Sequence, residues 1–341
     1  MNKVFCFGEL LLRMSPDTQA VTNAQMPFYI GGAELNVASA LSSWRIPARY
    51  CTALPDNWLS KILIGELNER NIDCSAIQIT GERIGIYYLP QGSELKNAGV
   101  IYDRKNSSFA SLKTGMIDWD KMLDQCSWFH FSAISPALNE SAAELCLEAV
   151  KAAKAKGLKV SVDLNYRSKL WQYGKKPIDV MPALLSYCDV IMGNIWAAES
   201  LLGISSPVEN SDGRSKEELI DAAGKSMKAI HIAYPQAGSI AYTFRLDKTY
   251  FAIMQHGSER VISKEFPMVG IVDKVGSGDC FMGGLIYGLY QKQKAKEIID
   301  FAAAAAVGKM KEKGDATNQT IESVKSILER EWTAISQSSN G

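Results

Sequence analysis

Apolar and polar positions in the first eighty residues predict strands that alternate with helices. The apolar run at residues 4–7 predicts a short buried strand. The glycine pair Gly31–Gly32 leads directly into a helical pattern that continues to Leu41, and residues 56–70 place their apolar positions on one face of a second helix. Residues 11–30, between the strand and the glycine pair, are mixed and irregular in pattern.

A hairpin interrupts this alternation. Residues 84–90 and 99–103 each predict a short strand, and the polar segment at residues 91–97 predicts the turn between them. A hairpin within an otherwise alternating pattern indicates a small inserted sheet.

From residue 126 onward the alternation is regular. Strands are predicted at residues 128–132, 159–163, 189–193, 229–234 and 239–244, and helices at 140–156, 177–187, 217–228, 278–292, 296–311 and 320–333. Strands that alternate with helices predict an α/β fold with a mostly parallel sheet covered on both faces. In such sheets ligands bind beyond the carboxyl ends of the strands.

Composition narrows the class of protein. The 341 residues include 37 basic and 37 acidic side chains, so the formal net charge is zero. Because the chain has no surplus of basic residues, a nucleic-acid partner is not predicted. Seven scattered cysteines without CxxC spacing favour reduced thiols over a disulfide framework or a zinc site. Neither a signal peptide nor an apolar run of roughly 18 residues is present, which predicts a cytoplasmic protein without a membrane partner.

The strongest chemical signal lies at residues 272–284. Gly276 and Gly278 allow backbone amides to approach an anion, and the helix predicted to follow directs its N-terminal amides at the same point. Asp279, beside this cradle, can accept a proton from a hydroxyl nucleophile. The structural alternative is a glycine-rich turn in which Asp279 caps the helix.

Two familiar phosphate-binding motifs do not match. A dinucleotide-binding fingerprint fails because Phe281 stands where the third glycine belongs. A Walker A motif at residues 224–226 fails because Leu219 occupies the first glycine position.

The segments Asp273-x-x-Gly276-Ser277-Gly278-Asp279 and 31–38 resemble the C-terminal and N-terminal signatures of the ribokinase-like (PfkB) carbohydrate kinases. The resemblance covers essentially the whole chain. It implies a three-layer αβα core with a mostly parallel sheet and a small β-sheet lid. The core then comprises residues 1–10, 31–82 and 111–341, and the lid comprises residues 11–30 and 83–110.

The resemblance also implies roles for the motif. Asp279 is expected to be the catalytic base, and the amides of Gly276, Ser277 and Gly278 are expected to form the anion hole. ATP and Mg²⁺ are the implied cofactors. The lid is expected to cover the sugar, and its exposed sheet face predicts a homodimer.

Substrate choice is expected to depend on residues of the lid and of the loops after the core strands. Arg104 and Arg167 can each pair bidentately with a carboxylate, which favours an acidic sugar; the alternative is that each is a surface arginine in a weak ion pair. Asp103 is harmless to such a substrate if it faces outward, as strand alternation predicts. The full set of expected sugar contacts is Gly32, Asn36, Tyr87 or Tyr88, Tyr102, Arg104 and Arg167.

Tyr-x-Arg at residues 102–104 and Asp-x-Asn-x-Arg at residues 163–167 resemble the 2-keto-3-deoxygluconate kinase branch of the family. The implied reaction is ATP-dependent phosphorylation of 2-keto-3-deoxygluconate (2-dehydro-3-deoxygluconate) to its 6-phosphate. Two alternatives stay open: a fructokinase or other neutral-sugar kinase of the same fold, and a non-catalytic sensor that binds a sugar acid.

The residues expected to bind the nucleotide match the family's elements only in part. Asn194 resembles the asparagine of the family's Asn-x-x-Glu element, but Ala197 stands at the glutamate position, so no direct protein ligand to the metal is predicted. Gly238 resembles the family's glycine turn near the nucleotide, which adds it to Asn194, Gly276 and Gly278 as an expected nucleotide contact. The alanine run 302–306 either lines the adenine site or packs tightly against another helix.

Overall fold

The computed structural model describes the backbone of residues 2–17, 22–90 and 99–338, with side chains described as far as Glu329. The turn predicted at residues 91–97 lies outside these ranges. Within them, the strands are β1 (Lys3–Phe7), β2 (Leu11–Met14), β3 (Phe28–Gly31), β4 (Ala48–Cys51), β5 (Ala53–Leu54), β6 (Ile72–Asp73), β7 (Gln78–Ile79), β8 (Gly85–Tyr88), β9 (Ile101–Asp103), β10 (Cys126–Ser132), β11 (Lys159–Asp163), β12 (Val190–Gly193), β13 (Ser239–Arg245), β14 (Thr249–His256), β15 (Glu259–Ile262) and β16 (Phe266–Pro267).

The helices lie between these strands and after them. They are α1 (Ala33–Ser43), α2 (Trp58–Glu69), α3 (Trp119–Met122), α4 (Glu140–Ala155), α5 (Pro177–Leu185), α6 (Ile195–Leu202), α7 (Lys216–Ala233), α8 (Ser277–Tyr290), α9 (Ala295–Lys309) and α10 (Ile321–Ser338). A single 3₁₀ turn, Ser135–Ala137, follows β10.

The main sheet has the strand order β15-β14-β13-β12-β11-β10-β1-β4-β6, and β16 also pairs with β14. The pairs from β6 to β13 are parallel, and β14 pairs antiparallel with β13, β15 and β16. The carboxyl ends of the parallel strands therefore meet at one edge of the sheet, where the loops that follow them converge.

Helices cover both faces of this sheet, because successive strand residues point to opposite sides. In β1, Phe5 and Phe7 join one core with side chains of α4, α5 and α7, whereas Val4 and Cys6 join a second core with side chains of α1, α8 and α9. The predicted α/β fold class, with a mostly parallel sheet between helices, is confirmed.

A separate four-stranded sheet, here called the small sheet, has the order β3-β2-β8-β9. The predicted hairpin supplies β8 and β9, which pair antiparallel. The irregular segment at residues 11–30 supplies the other two strands: β2 pairs antiparallel with β3 and parallel with β8.

One predicted element is wrong. Residues 229–234 were expected to form a strand, but they continue α7 through Ala233. Ile230 is buried in the core while Ile232 is largely exposed. Residues two apart would share one face of a strand, so this burial pattern fits the helix and not a half-buried strand. The antiparallel strands β14–β16 that extend the sheet were not predicted.

Close helix contacts hold α8 in the second helical layer. A Cβ placed on Gly284 would lie 2.6 Å from the Cα atom of Ala302 in α9, and one on Gly283 would lie 3.1 Å from the Cβ atom of Ala40 in α1. Helices can approach this closely only where a side chain is missing. All five alanines at 302–306 are fully buried, so the tight-packing interpretation of that run is confirmed.

Candidate active site

A cavity of about 1140 Å³ opens at the carboxyl edge of the main sheet. Its lining comes from the ends of β11, β12 and β13, from the N-terminus of α8 and from the small sheet. The volume exceeds the roughly 300–1,000 Å³ typical of a single small-molecule site, so two ligands can lie side by side.

The N-terminus of α8 forms one wall of this cavity. Gly276 caps the helix with a φ of 78°, in the left-handed region that favours glycine, and a Cβ there would overlap the backbone carbonyl of Asp315. Ser277 donates its hydroxyl to the Lys274 carbonyl at 2.9 Å, and nothing lies within 4 Å of a Cβ on Gly278. The helix N-terminus therefore presents its first amides to the cavity, where an anion is favoured.

Asp279 lies in the first turn of α8 and is buried. Its Oδ2 atom accepts a hydrogen bond of 2.7 Å from Nδ2 of Asn36 in α1. Burial raises the pKa of Asp279 to about 6, although the Asn36 hydrogen bond and the charge of Arg167 act in the opposite direction. A carboxyl with such a pKa is ionised near neutral pH and is matched to accepting a proton.

Two further buried carboxyls lie near Asp279. Asp163 ends β11 and lines the cavity; burial and the charge of Asp279 raise its pKa, and Arg167 opposes that rise. Glu34 accepts hydrogen bonds from the backbone amide (2.9 Å) and the hydroxyl (2.6 Å) of Ser132, and burial raises its pKa to about 7. Arg167 is thus the cation within electrostatic reach of both Asp163 and Asp279.

Most of the residues predicted to contact a sugar reach the cavity. Tyr87 lines it but Tyr88 does not, because neighbouring residues of β8 point to opposite faces of the small sheet. Asp103 faces outward and pairs with Arg83 at 2.7 Å, as strand alternation predicted. The predicted sugar contacts that line the cavity are Gly32, Asn36, Tyr87, Tyr102, Arg104 and Arg167.

Arg104 has a partner that the sequence did not indicate. Its Nη2 atom lies 2.6 Å and its Nε atom 2.7 Å from Oε2 of Glu9, and both side chains are buried. The hydroxyl of Ser107 donates to the other oxygen of Glu9. Arg104 is therefore held in a fixed orientation, and much of its charge is balanced before any ligand binds.

The opposite end of the cavity carries the other predicted contacts. Asn194 lines it, and its Oδ1 atom accepts the Ala197 amide at 2.8 Å, which caps α6. Charged side chains that the sequence did not single out also line the cavity; the cations are Arg214, Arg245, Lys248 and Lys274, and the acids are Glu209, Asp212 and Asp247. The cations outnumber these acids and favour an anionic ligand.

Gly238 is not part of the cavity. It precedes β13 at the amino edge of the sheet, where its carbonyl accepts the Gly257 amide at 2.9 Å. The prediction for Gly238 depended on a strand ending at residue 234, and that segment is helical, so the turn lies on the opposite side of the sheet. The alanines at 302–306 do not line the cavity either.

The pfkB family carbohydrate kinase model matches residues 1–321 of the chain. The chain belongs to the PfkB family of carbohydrate kinases. The matched range contains every residue that lines the cavity, including the Gly276–Asp279 segment at the N-terminus of α8.

Named proteins similar to this PfkB-family kinase point to sugar substrates. It is 27% identical to the 2-dehydro-3-deoxygalactonokinase of Haloferax volcanii, over 94% of this chain and 95% of that protein. It is 24% identical to fructokinase-1 of Zea mays, over 91% and 92% of the two chains. The PfkB-family kinase is therefore a sugar kinase, as predicted.

Among solved structures, the 2-dehydro-3-deoxygluconokinase of Thermotoga maritima superimposes with a TM-score of 0.85 and 33% identity. The match covers 96% of this chain and 99% of that one. The ribokinase-like architecture predicted for this PfkB-family kinase is therefore confirmed. Among the described residues, no helix is both long enough and apolar enough to cross a membrane.

The hydrogen bond from Asn36 to Asp279 can be tested by substitution in this PfkB-family kinase. Asn36→Leu preserves side-chain size but removes the donor that stabilises the ionised form of Asp279, so the pKa of Asp279 should rise above its value of about 6. Carboxyl carbon NMR across a pH titration measures this, with Asp279→Asn to assign the signal. Ser39→Ala, a buried substitution one turn further along α1, should leave the titration unchanged. An unchanged or lowered pKa in Asn36→Leu would contradict the assignment.

Proposed function

We propose that this protein transfers the γ-phosphoryl group of ATP to a hydroxyl of a sugar acid, with 2-dehydro-3-deoxygluconate phosphorylated at its 6-hydroxyl as the preferred reaction. One observation carries the proposal. A buried carboxylate, Asp279, stands beside the amides of an open helix N-terminus in a cavity that also holds Arg167. This arrangement suits an enzyme that activates a hydroxyl and stabilises a transferring phosphoryl group.

Asp279 acts as the general base. The substrate hydroxyl donates to the free oxygen of Asp279 while Asn36 holds the other oxygen in place. As the hydroxyl oxygen bonds to the γ-phosphorus, the bond from that phosphorus to the bridging oxygen of ADP breaks, and the hydroxyl proton moves to Asp279. A pKa of about 6 keeps the base ionised near neutral pH without making it too weak to accept the proton.

The amides of Gly276, Ser277 and Gly278 form the anion hole. Charge that develops on the phosphoryl oxygens meets preorganised donors and the positive end of α8, which do not have to reorient during the reaction. Gly276 and Gly278 leave the approach free of side chains.

The residues present fit ATP with its metal ion. Arg214, Arg245, Lys248 and Lys274 provide cations for a triphosphate, and Asn194 lines the same cavity. Across the described part of the chain, no three acidic, histidine or cysteine side chains are grouped to hold a metal. Mg²⁺ would then be held through the nucleotide and water rather than by a carboxylate cluster of this chain, and it would supply positive charge for the transferred group.

Arg167 and Arg104 play unequal parts in recognising the carboxylate of the substrate. Arg167 is half-buried and supplies the attractive charge. Arg104, whose charge Glu9 balances, supplies N–H donors of fixed direction. Tyr87 and Tyr102 provide the flat walls on which the carbon chain of the acid rests.

A neutral-sugar kinase is the second candidate. The ion pair between Glu9 and Arg104 is the observation that favours it, because a pocket with less net positive charge accepts an uncharged sugar more readily. Fructokinases are also among the similar proteins. A non-catalytic sensor fits less well, because it would have no use for a buried base at an open helix N-terminus.

Substituting the base is the first test. Asp279→Asn removes the proton acceptor and should lower kcat by roughly 10²–10⁴-fold while changing KM for either substrate less than about threefold. Steady-state phosphorylation assays measure both constants. Asp120→Asn, the same change at an exposed acid that pairs with Lys156, should behave like the parent protein. Near-normal turnover in Asp279→Asn would remove the assignment of the base.

Arg167 tests the class of substrate. Arg167→Met should lower kcat/KM for 2-dehydro-3-deoxygluconate about a hundredfold, because a charged hydrogen bond is lost, and should change that for fructose less than about threefold. Arg167 also lowers the pKa of Asp279, so removing Arg167 should raise that pKa. The assays are therefore run at about pH 8, where Asp279 stays ionised in the Arg167→Met variant. Arg260→Met, outside the cavity, is the matched control. Equal losses on acid and neutral sugars would contradict a carboxylate contact.

We further propose that the small sheet is a lid over the sugar and that its outer face pairs with a second copy of the chain. Register places Phe28, Met14, Tyr88 and Ile101 in one row across that face. Phe28 is 53% exposed and Ile101 63%. An apolar row of this kind can pair with its own image about a two-fold axis.

Sedimentation velocity tests this dimer. The parent protein should sediment as a dimer, and the double variant Phe28→Glu with Ile101→Glu should sediment as a folded monomer, because like charges then face each other across the axis. Ile232→Glu, at an exposed position on α7, should remain dimeric. A monomeric parent protein would overturn the proposal.

A further inference from the structure

Arg13 is a buried cation in a strand of the small sheet. It lies in β2 between Leu12 and Met14, and only 3% of its side chain is exposed. A buried guanidinium is tolerated only where charges and hydrogen bonds compensate it closely. Its partners therefore identify what the strand is built to hold.

Three groups surround the guanidinium. Its Nη2 atom lies 2.6 Å from Oδ2 of Asp273, and its Nε atom lies 2.8 Å from Oδ1 of Asp315. The ring of Tyr29, on the neighbouring strand β3, lies beneath it with 4.5 Å between Cζ and the ring centroid. Asp273 and Arg13 are 260 residues apart in the chain, so the contact joins the small sheet to the C-terminal part of the core.

Asp273 and Asp315 both contribute to the backbone arrangement around the proposed anion hole, one through its carboxylate and the other through its backbone carbonyl. Asp273 accepts the amides of Val275 (3.0 Å) and Gly314 (3.2 Å), which fixes the loop immediately before Gly276. The backbone carbonyl of Asp315 sits where a Cβ on Gly276 would be. The two loops that bracket the N-terminus of α8 are therefore tied to one guanidinium.

The same cluster reaches the sugar end of the cavity. The hydroxyl of Tyr87 donates to Oδ2 of Asp315 at 2.8 Å, so Tyr87 and Arg13 share this carboxylate. Lys309 is the other buried cation nearby; its Nζ atom donates to the Glu312 carbonyl at 3.3 Å. The charge of Lys309 also acts on Asp273 and Asp315, but Lys309 lies at the end of α9 in the core, whereas Arg13 lies in the small sheet and joins that sheet to the loop at residue 273.

We propose that Arg13 is a positioning residue that fixes the Gly276–Gly278 amides relative to the small sheet, through Asp273 and Asp315. The inference rests on the proposed function, in which those amides receive the transferred phosphoryl group. Arg13 itself touches no substrate. Without it, two buried carboxylates repel each other, the loops on either side of Gly276 separate, and the amides lose their alignment with the base and the sugar.

Three variants test this role. Arg13→Met removes the charge at similar length, and Arg13→Lys keeps the charge but reaches one carboxylate instead of two. Arg49→Met is the matched control, because Arg49 is also buried and also pairs with an aspartate, Asp73. Unlike Asp315, which pairs with Arg13, Asp73 is not among the residues that line the cavity. Thermal unfolding identifies loss of fold, steady-state kinetics separates kcat from KM, and amide hydrogen exchange reports on residues 273–279 and 312–317.

Arg13→Met should lower kcat about a hundredfold with KM for both substrates within about threefold, and Arg13→Lys should recover part of that loss. Exchange should rise in both segments. Arg49→Met should lower the midpoint of thermal unfolding but leave kcat and these segments unchanged. If Arg13→Met fails to fold, Arg13→Lys decides, with an expected tenfold loss of kcat.

A folded Arg13→Lys protein with parental kcat and parental exchange would overturn the inference, as would a loss of kcat in Arg49→Met as large as in Arg13→Met. If the parent protein phosphorylates a different sugar, the same kcat and KM comparison is made on that sugar. If the parent protein phosphorylates no sugar, the proposed function fails. Amide hydrogen exchange at residues 273–279 in the Arg13 variants then still tests whether Arg13 holds the loop, and unchanged exchange overturns the inference.

Discussion

The burial of Asp279 at the N-terminus of α8, against Asn36 of α1, is the interaction on which the rest of the structure depends. A carboxylate removed from water needs donors and positive potential, and here the helix N-terminus, Asn36 and Arg167 supply them. Asn36 can reach Asp279 only because α1 and α8 approach closely. Gly283 on α8 favours that approach, because a Cβ there would lie 3.1 Å from the Cβ atom of Ala40.

A second feature of the site is the distribution of charge around the cavity. The chain as a whole is neutral, yet several of its charged side chains are buried here in pairs. Glu9 balances Arg104, and Asp273 and Asp315 balance Arg13. Arg167 differs because it shares the cavity with Asp163 and Asp279 and with whatever ligand enters. It is therefore the arginine to which we assign the carboxylate of the proposed substrate.

Local sequence pattern was sufficient to predict the strands and helices whose apolar residues recur with a simple period. The strand at residues 159–163 was predicted with the bounds the structure has, and the glycines and acid of the α8 N-terminus were recognised because their chemistry is local in sequence. The prediction for residues 229–234 was wrong because it also used local pattern alone, and a short apolar run fits a strand and the end of a helix equally well. That one error also misplaced Gly238.

What the sequence could not indicate is pairing between distant charges. Arg13 and Glu9 are single charged residues near short apolar runs, and nothing local distinguishes a buried ion pair from a strand end that faces solvent. Their partners, Asp273 and Arg104, lie far along the chain and meet them only after the small sheet has docked on the core. The run Leu-Leu-Arg-Met at residues 11–14 places a charge among apolar residues, but this pattern does not identify the partner.

The most direct test of the central claim is a coupled ADP-release assay on the purified protein with ATP, Mg²⁺ and a panel of sugars and sugar acids, followed by NMR of the product to locate the phosphate. We expect ADP release that depends on 2-dehydro-3-deoxygluconate, with phosphate on its 6-oxygen and a kcat/KM at least about tenfold above that for fructose or ribose. Equal or faster turnover of a sugar without a carboxylate, or ADP release unaffected by any sugar acid, would contradict it.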